Sequence, residues 1–368
     1  MISSFQIWTS VGSLVGTIVD NFTVKLGGRE SYLVPLGLIY IVPVLMSLGL
    51  CFIPESPRWL MQHGKRDKAF KALQWLRPFG DAEVEREIND IQEAISSEEE
   101  LASGASIVDM FKNPIDRRRT WLAVGGLSTQ GASGAMYMIA YGTYFFEMAH
   151  IGKAFENACI LNGVGVVAII ANSMAVTKVG RRRVFLITGL LICGLAQLIT
   201  AVIYNVNPGT VETGKGIVGL SVVYILAYNG MVATYAWISG GELPSQRLRS
   251  YTFGFATAVG FFLAWLATFT APYFINPESL NWGPKYGYIW APSCVVAAAW
   301  VYFFLPEVKG RTLEEIDEMF EAKLPAKKFR KYVCVGRYAG AHALDTNSAQ
   351  ALDKQAEEVT HKEHSNAV

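Results

Sequence analysis

Charge is scarce in this chain. Only 17% of its 368 residues are Asp, Glu, Lys or Arg, against about 25% in an ordinary soluble domain. The two signs nearly cancel, 32 basic against 31 acidic, which removes the electrostatic basis for nucleic-acid binding. The five cysteines (Cys51, Cys159, Cys193, Cys294 and Cys334) form no CxxC pair. Neither a zinc site nor a disulfide framework is expected, and they read as small apolar packing residues. No GxSxG turn and no HExxH pair occurs, so an enzyme, a metal and a cofactor are not expected. The nearest approach to a phosphate loop has Gly209, Gly214 and Lys215 at the GxxxxGK spacing, but Gly216 stands where magnesium needs a hydroxyl. That segment reads as a flexible loop between two apolar runs.

Apolar residues are abundant, at 51% of the chain, yet the mean hydropathy is only +0.27. Very apolar stretches are diluted by very polar ones. Eight windows of 18 to 27 residues contain no charged side chain: Ile2–Val19, Tyr32–Ile53, Thr120–Phe146, Asn157–Val176, Val184–Tyr204, Ile217–Gly241, Tyr251–Ile275 and Tyr288–Leu305. A helix needs about 20 apolar residues to cross a bilayer. The windows predict an all-α polytopic membrane protein with eight spans. Ile2–Val19 lacks the basic start and small-residue cleavage site of a signal peptide and counts as a span. Small residues, as in Val124–Ala135, suit close helix packing.

Two polar regions account for the dilution. Residues 55–118 hold 23 charges in 64 positions. Within them Val84, Ile88, Ile91 and Ile95, and separately Phe70, Leu73 and Leu76, recur at helical spacing, which predicts short amphipathic helices. Residues 306–368 begin as a helix and become a polar tail, with disorder expected after about Gly340. With Glu55–Arg119 placed in the cytoplasm and the spans alternating, 27 Lys and Arg fall inside and 5 outside. The positive-inside rule favours that orientation. Both termini are then cytoplasmic, and the Asn21-Phe22-Thr23 sequon faces outward, close to the membrane.

The second window closes on Pro54-Glu55-Ser56-Pro57-Arg58-Trp59-Leu60. The last closes on Pro306-Glu307-Val308-Lys309-Gly310-Arg311-Thr312-Leu313-Glu314-Glu315-Ile316-Asp317. Between them stand Gly180-Arg181-Arg182-Arg183 and Glu242-Leu243-Pro244, with Arg249 five residues after the proline. Over roughly residues 1–320 the chain resembles the sugar porter family of the major facilitator superfamily. Ser4–Thr9 and Tyr141–Glu147 lean toward fungal hexose and α-glucoside permeases. The resemblance implies two six-helix halves. Six windows lie between the two Pro-Glu motifs but only two precede the first, so Met1 falls at the start of what resembles the fifth helix. The expectation is a chain lacking four N-terminal spans, as a truncated gene model, an alternative start or a remnant. The implied organisation is a two-helix remnant (1–54), a cytoplasmic loop (55–118), a C-terminal six-helix half (119–305) and a cytoplasmic tail (306–368).

A sugar is held by hydrogen bonds to its hydroxyls and by an aromatic face, so amides and Trp at membrane depth are the expected tools. The resemblance implies Gln6, Gln130, Asn229 and Trp237 as sugar-binding residues. Gln130 matches the first glutamine of the family's QQxSG motif, whose second glutamine is Gly131 here and whose following asparagine is Met136. The proline-bearing approach to the pocket tryptophan is replaced by Ala233-Thr234-Tyr235-Ala236, which removes the reason to expect local unwinding. The resemblance also implies a conformational latch of Glu55, Arg58, Arg181, Arg182, Glu242, Arg249, Glu307 and Arg311. The acid that the family places before its Gly-Arg-Arg is absent, since Thr177 and Lys178 stand there. The implied function is transport of a hexose or α-glucoside by alternating access, with protons as co-substrate and residence in the plasma membrane. The alternative is a non-transporting remnant or a sensor-like member. The family's proton carboxylates belong to the lacking first helix, and no Asp or Glu occurs inside any of the eight windows.

Overall fold

Backbone that crosses hydrocarbon must satisfy its own hydrogen bonds, and the apolar windows do so as helices. The computed structural model describes residues 2–77, 80–102, 104–148, 153–178 and 181–334. In chain order the helices are α1 (Ile2–Thr23), α2 (Glu30–Ile39), α3 (Ile41–Leu50), α4 (Pro57–Gln62), α5 (Arg66–Leu76), α6 (Asp81–Ala102), α7 (Asp109–Lys112) and α8 (Pro114–Ala132). They continue with α9 (Ala135–Met148), α10 (Ala154–Lys178), α11 (Arg182–Val206), α12 (Val211–Ala227), α13 (Thr234–Glu242), α14 (Arg249–Ile275), α15 (Gly287–Phe304) and α16 (Leu313–Glu321). No strand occurs among the described residues. Among the described residues six segments are long and apolar enough to cross a membrane: Glu30–Leu50, Ala154–Asn172, Arg182–Val206, Val211–Glu242, Arg249–Ile275 and Gly283–Phe304. The chain is an all-α polytopic membrane protein. The two remaining windows are helical as well: Ile2–Val19 lies within α1, and Thr120–Phe146 is divided between α8 and α9.

That division departs from the single unbroken helix the window predicts. Gly134 turns the chain at φ +75°, where a side chain is strained. A Cβ there would also stand 2.7 Å from the Trp290 ring. At the break the Ser133 carbonyl turns to neighbouring helices. It is taken up by Gln197 Nε2, donating at 2.7 Å, and by the Tyr224 hydroxyl, donating at 3.0 Å. Both donors come from neighbouring helices, so the break is braced by the bundle. A second irregularity is a π-helical turn, Tyr228–Ala233, between α12 and α13. Local loosening of this span therefore occurs without the prolines.

The main core joins α8, α11, α12, α13, α15 and α16 through Leu186, Leu190, Cys193, Tyr224, Tyr235, Val301, Ile316 and Phe320. Helices α11 and α15 approach so closely that a Cβ on Gly287 would lie 2.6 Å from the Gln197 carbonyl oxygen. Small residues permit this packing where hydrocarbon gives helices no hydrophobic reason to associate. Helix α1 is fastened to α10 by polar groups: Ser13 Oγ donates to Asn162 Oδ1 at 3.1 Å, and Asn162 Nδ2 donates to Thr17 Oγ1 at 2.8 Å. By contrast, no part of the Glu30–Leu50 span is buried.

Helices α4, α5 and α6 close on one another around Leu60, Met61, Ala69, Leu73, Val84, Ile88 and Ile95. Most of the predicted apolar stripe is used, but Leu76 is exposed. Helix α6 has 22 residues, longer than the short helix expected. Three further expectations are corrected or left aside. The Gly209–Gly216 segment is no loose loop: Thr210 caps α12, accepting from the Thr213 N–H at 3.2 Å, and Gly214 and Gly216 lie in the first turns. The phosphate-loop spacing thus arises from a helix start. Cys51, expected to pack, is exposed just past α3, whereas Cys193, Cys294 and Cys334 are buried and all five thiols are free. The disorder expected after Gly340 lies outside the described residues.

Candidate functional site

Helices α8, α13 and α14 enclose a cavity of about 90 Å³. Gln130 reaches it from the last turn of α8, before the Gly134 break, and Trp237 from α13, after the π-helical turn. Thr257 and Phe261 line it from α14, and Gly131 and Met136 complete its floor. The Trp237 ring packs against Phe253 and Phe261 at centroid distances of 6.2 and 6.3 Å. Gln130 Oε1 accepts from the Tyr228 hydroxyl at 3.4 Å, which orients the amide and leaves its two N–H donors for another partner. The Thr257 hydroxyl is buried with no hydrogen-bond partner among the described residues. An unpaired buried hydroxyl is costly and points to an occupant that completes it. The cavity is smaller than the roughly 300–1,000 Å³ of most small-molecule pockets, and Phe261 at its rim is 64% exposed. It forms one wall of a site.

The four predicted sugar-binding residues are therefore divided. Gln130 and Trp237 share the cavity, whereas Gln6 on α1 and Asn229 on the π-helical turn are not in its lining. Asn229 lies against α10, its Nδ2 only 2.6 Å from where a Cβ of Gly165 would stand. Thr257 gave no signal in the sequence, since nothing separates it from other hydroxyls in an apolar window.

The predicted latch is likewise divided. Arg182, at the start of α11, forms an ion pair with Glu242, at the end of α13. Arg249 and Glu307 also act on the Glu242 carboxylate. Arg249 Nε donates at 3.3 Å to the Gly241 carbonyl, so the direct partner of Glu242 is Arg182. Glu307 Oε2 accepts from the Arg183 backbone N–H at 2.9 Å. Arg311 belongs to a separate tie, donating at 2.6 Å to the Tyr332 carbonyl and at 3.3 Å to Glu315. The Thr312-Leu313-Glu314-Glu315 run is a capping box: Thr312 Oγ1 accepts from the Glu315 N–H, and Glu315 Oε2 accepts from the Thr312 N–H at 2.9 Å. Glu55 and Arg58 lie on or beside α4 and are exposed, and Arg181 is exposed beside α11. Gly180 and the side chains of Thr177 and Lys178 lie outside the described residues.

The strongest polar node at this end was missed. Arg119 on α8 is 3% exposed. Its Nε donates to the Leu243 carbonyl at 2.7 Å and its Nη2 to the Pro244 carbonyl at 3.0 Å. Nη1 stands 2.5 Å from Asp317 Oδ1 on α16 as an ion pair, off the line of a hydrogen bond. The Phe320 ring lies 4.6 Å from its Cζ. One guanidinium thus joins α8, the turn after α13, and α16. Nearby, Asp109 takes Lys112 at 2.9 Å and Arg247 at 3.4 Å, and the Lys112 hydrogen bond is the main reason its carboxyl is held below its ordinary pKa.

Sequence and structural comparisons agree on what this geometry belongs to. The chain is 31% identical to the High glucose sensor RGT2 of Saccharomyces cerevisiae, over 87% of this chain and 43% of that protein. It is 30% identical to Maltose permease MAL61 of Saccharomyces cerevisiae, over 91% of this chain and 55% of the permease. It superposes on the inward open conformation of the xylose transporter XylE from E. coli with a TM-score of 0.66 at 22% identity, over 86% of this chain and 64% of that one. That likeness concerns the fold, which is the major facilitator fold. The chain spans about half the length of the curated relatives it matches. Pro54–Leu60 and Pro306–Asp317 both lie within residues 1–320, which match the sequence profile of the Sugar (and other) transporter family, and the chain belongs to that family.

Proposed function

We propose that this chain carries one wall of a sugar site in a permease that moves a hexose or α-glucoside by alternating access, with protons as the coupled ion. The observation that carries this reading is the meeting of Gln130, Trp237 and the unpaired Thr257 hydroxyl in one cavity. An amide, a hydroxyl and an indole face are the groups a ring of hydroxyls on an apolar scaffold requires. The names of relatives support the class: one is a maltose permease, and a solved neighbour is described as a proton:xylose symporter. Gln6 and Asn229 belong to the same site only if the opposing wall draws α1 and the π-helical turn toward the sugar. Arg182, Glu242, Arg249 and Glu307 act as the latch of one conformational state, and Glu55, Arg58, Arg181 and Arg311 belong to the face it closes. The division into residues 1–54, 55–118, 119–305 and 306–368 follows the same scheme.

In a transporter that carries these helices, Gln130→Ala removes a hydrogen bond to the sugar. That costs about 1–2 kcal/mol, a roughly 5- to 30-fold loss in apparent affinity. Radiolabelled glucose and maltose uptake in a transport-deficient yeast measures it. Unchanged affinity in both Gln130→Ala and Trp237→Ala removes the cavity from the sugar path. The second reading, a sensor, is favoured by the likeness to a protein named a high glucose sensor. It requires sugar binding without uptake.

The same reading places the protein in the plasma membrane with residues 55–119 and both termini in the cytoplasm, supported by the 27 basic residues that fall on that side. A cysteine introduced at Ser97, exposed on α6, then resists an impermeant thiol reagent in intact cells and reacts after permeabilisation. Ready labelling from outside reverses the orientation.

A further inference from the structure

At the polar end of α8 and α15 a groove of about 620 Å³ opens on the outside of the bundle. Its walls are Trp121 on α8 and Trp300, Phe303 and Phe304 on α15. Trp121, Phe303 and Phe304 are each more than half exposed. The floor is Gly125, which the Trp300 ring covers so closely that no Cβ fits. Pro325 and Ala326, in the segment that returns after α16, close the polar end. A concave aromatic surface at the end of two membrane helices sits at the depth where acyl chains meet headgroups.

Arg118 lines the groove, Lys327 follows Ala326 in its wall, and Arg183 Cζ stands 5.4 Å from the same Tyr302 ring as Lys327. Arg118 is half-buried, with its guanidinium carbon 5.5 Å from the Phe320 ring and 5.9 Å from the Phe329 ring. Asp317, on the same helix as Phe320, is taken by Arg119. Lys327 Nζ lies 5.3 Å from the Tyr302 ring and 6.0 Å from the Phe303 ring. Both charges are held by aromatic faces, and no carboxylate pairs with either among the described residues. Aromatic faces position a cation but leave its charge available to an anion.

We infer that the groove between α8 and α15 binds one anionic phospholipid, its phosphate between Arg118 and Lys327 and an acyl chain along Trp121, Trp300, Phe303 and Phe304. A free phosphate leaves the aromatic wall uncovered. A zwitterionic lipid brings its own ammonium toward two fixed cations. An anionic lipid matches both the charge and the apolar wall, and it braces the segment after α16 against the bundle.

Tryptophan fluorescence tests this on the full chain in phosphatidylcholine vesicles, with no sugar present, so the outcome is independent of the transport reading. Brominated phosphatidylserine, which quenches indoles on contact, saturates its effect at low mole fraction. Brominated phosphatidylcholine quenches only in proportion to its amount. Trp121→Phe loses part of the saturable component. Arg118→Gln with Lys327→Gln raises the half-saturating mole fraction about tenfold or more, while Arg118→Lys with Lys327→Arg keeps it within about threefold. Identical curves for the two lipids on the unmodified chain overturn the proposal without recourse to any variant. So does saturable quenching untouched by charge removal, and so does relief of quenching by millimolar inorganic phosphate, which assigns the two cations to a soluble anion instead.

Discussion

Arg119→Ala is expected to lower the stability of the purified chain by about 3–5 kcal/mol, the usual result of removing one member of a buried ion pair. The loss has three sources. The Leu243 and Pro244 carbonyls lose their donors, the Asp317 carboxylate loses its countercharge, and the Phe320 ring loses its cation. Thermal denaturation in detergent should show a fall on the order of 5 °C or more. Arg119→Lys should fall between, since one ammonium cannot serve two carbonyls and a carboxylate from the geometry of a fork. Adding Asp317→Ala to Arg119→Ala should cost less than the sum of the single changes, because the two share one interaction. A midpoint for Arg119→Ala equal to that of the unmodified chain would falsify the node.

The ion pair of Arg182 with Glu242 predicts an asymmetry. Both side chains are mostly buried, at 20% and 29% exposure, so removing a partner costs about 1–3 kcal/mol, below the range for fully buried pairs. The two losses differ in what they leave behind. Arg182→Gln leaves Glu242 beside Glu307, with Arg249 as the remaining cation. Glu242→Gln leaves Arg182 near a carboxylate that can still oppose it. Arg182→Gln should therefore be the more damaging of the two in thermal denaturation. Exchanging the charges, with Arg182→Glu and Glu242→Arg together, should recover only part of the loss. The new arginine faces Arg249 and the new glutamate approaches Glu307. Full additivity in this double-mutant cycle would show that the pair makes no direct contribution. Under the proposed latch, weakening the same pair biases the equilibrium away from the state in which it forms.

These two clusters show how far a linear reading reaches. The Arg182–Glu242 pair was accessible because both residues sit in short motifs that carry a resemblance. Arg119 carries more partners, yet in the sequence it is one of three consecutive arginines. Its hydrogen-bond partners lie 124 and 125 positions away, and nothing local distinguishes it from Arg117 and Arg118. The sugar-site candidates divide in the same manner. Gln130, four residues before the Gly134 break, and Trp237, four after the π-helical turn, line one cavity. Asn229, one residue into that π-helical turn, instead lies over Gly165. Helical phase decides which face a residue takes, and a single π-helical turn shifts that phase.

That this chain spans a membrane as helices is legible from its apolar windows alone. The uncharged windows are about twice as long as the roughly 9–11 residues of a membrane-spanning strand, so their backbone pairs its polar groups within helices. The positions of the charged ends are legible in the same way, since charge is excluded from the core of the bilayer. Which polar residues converge is set by the packing of the helices. That packing draws Thr257 beside Gln130 and Trp237, closes α8, α13 and α16 on Arg119, and leaves Arg118 and Lys327 on aromatic rings. Those arrangements depend on the relative rotation and spacing of helices far apart in the chain. Rotation and spacing are set by the glycines and packed side chains between helices, a pairwise fit that no run of residues encodes alone.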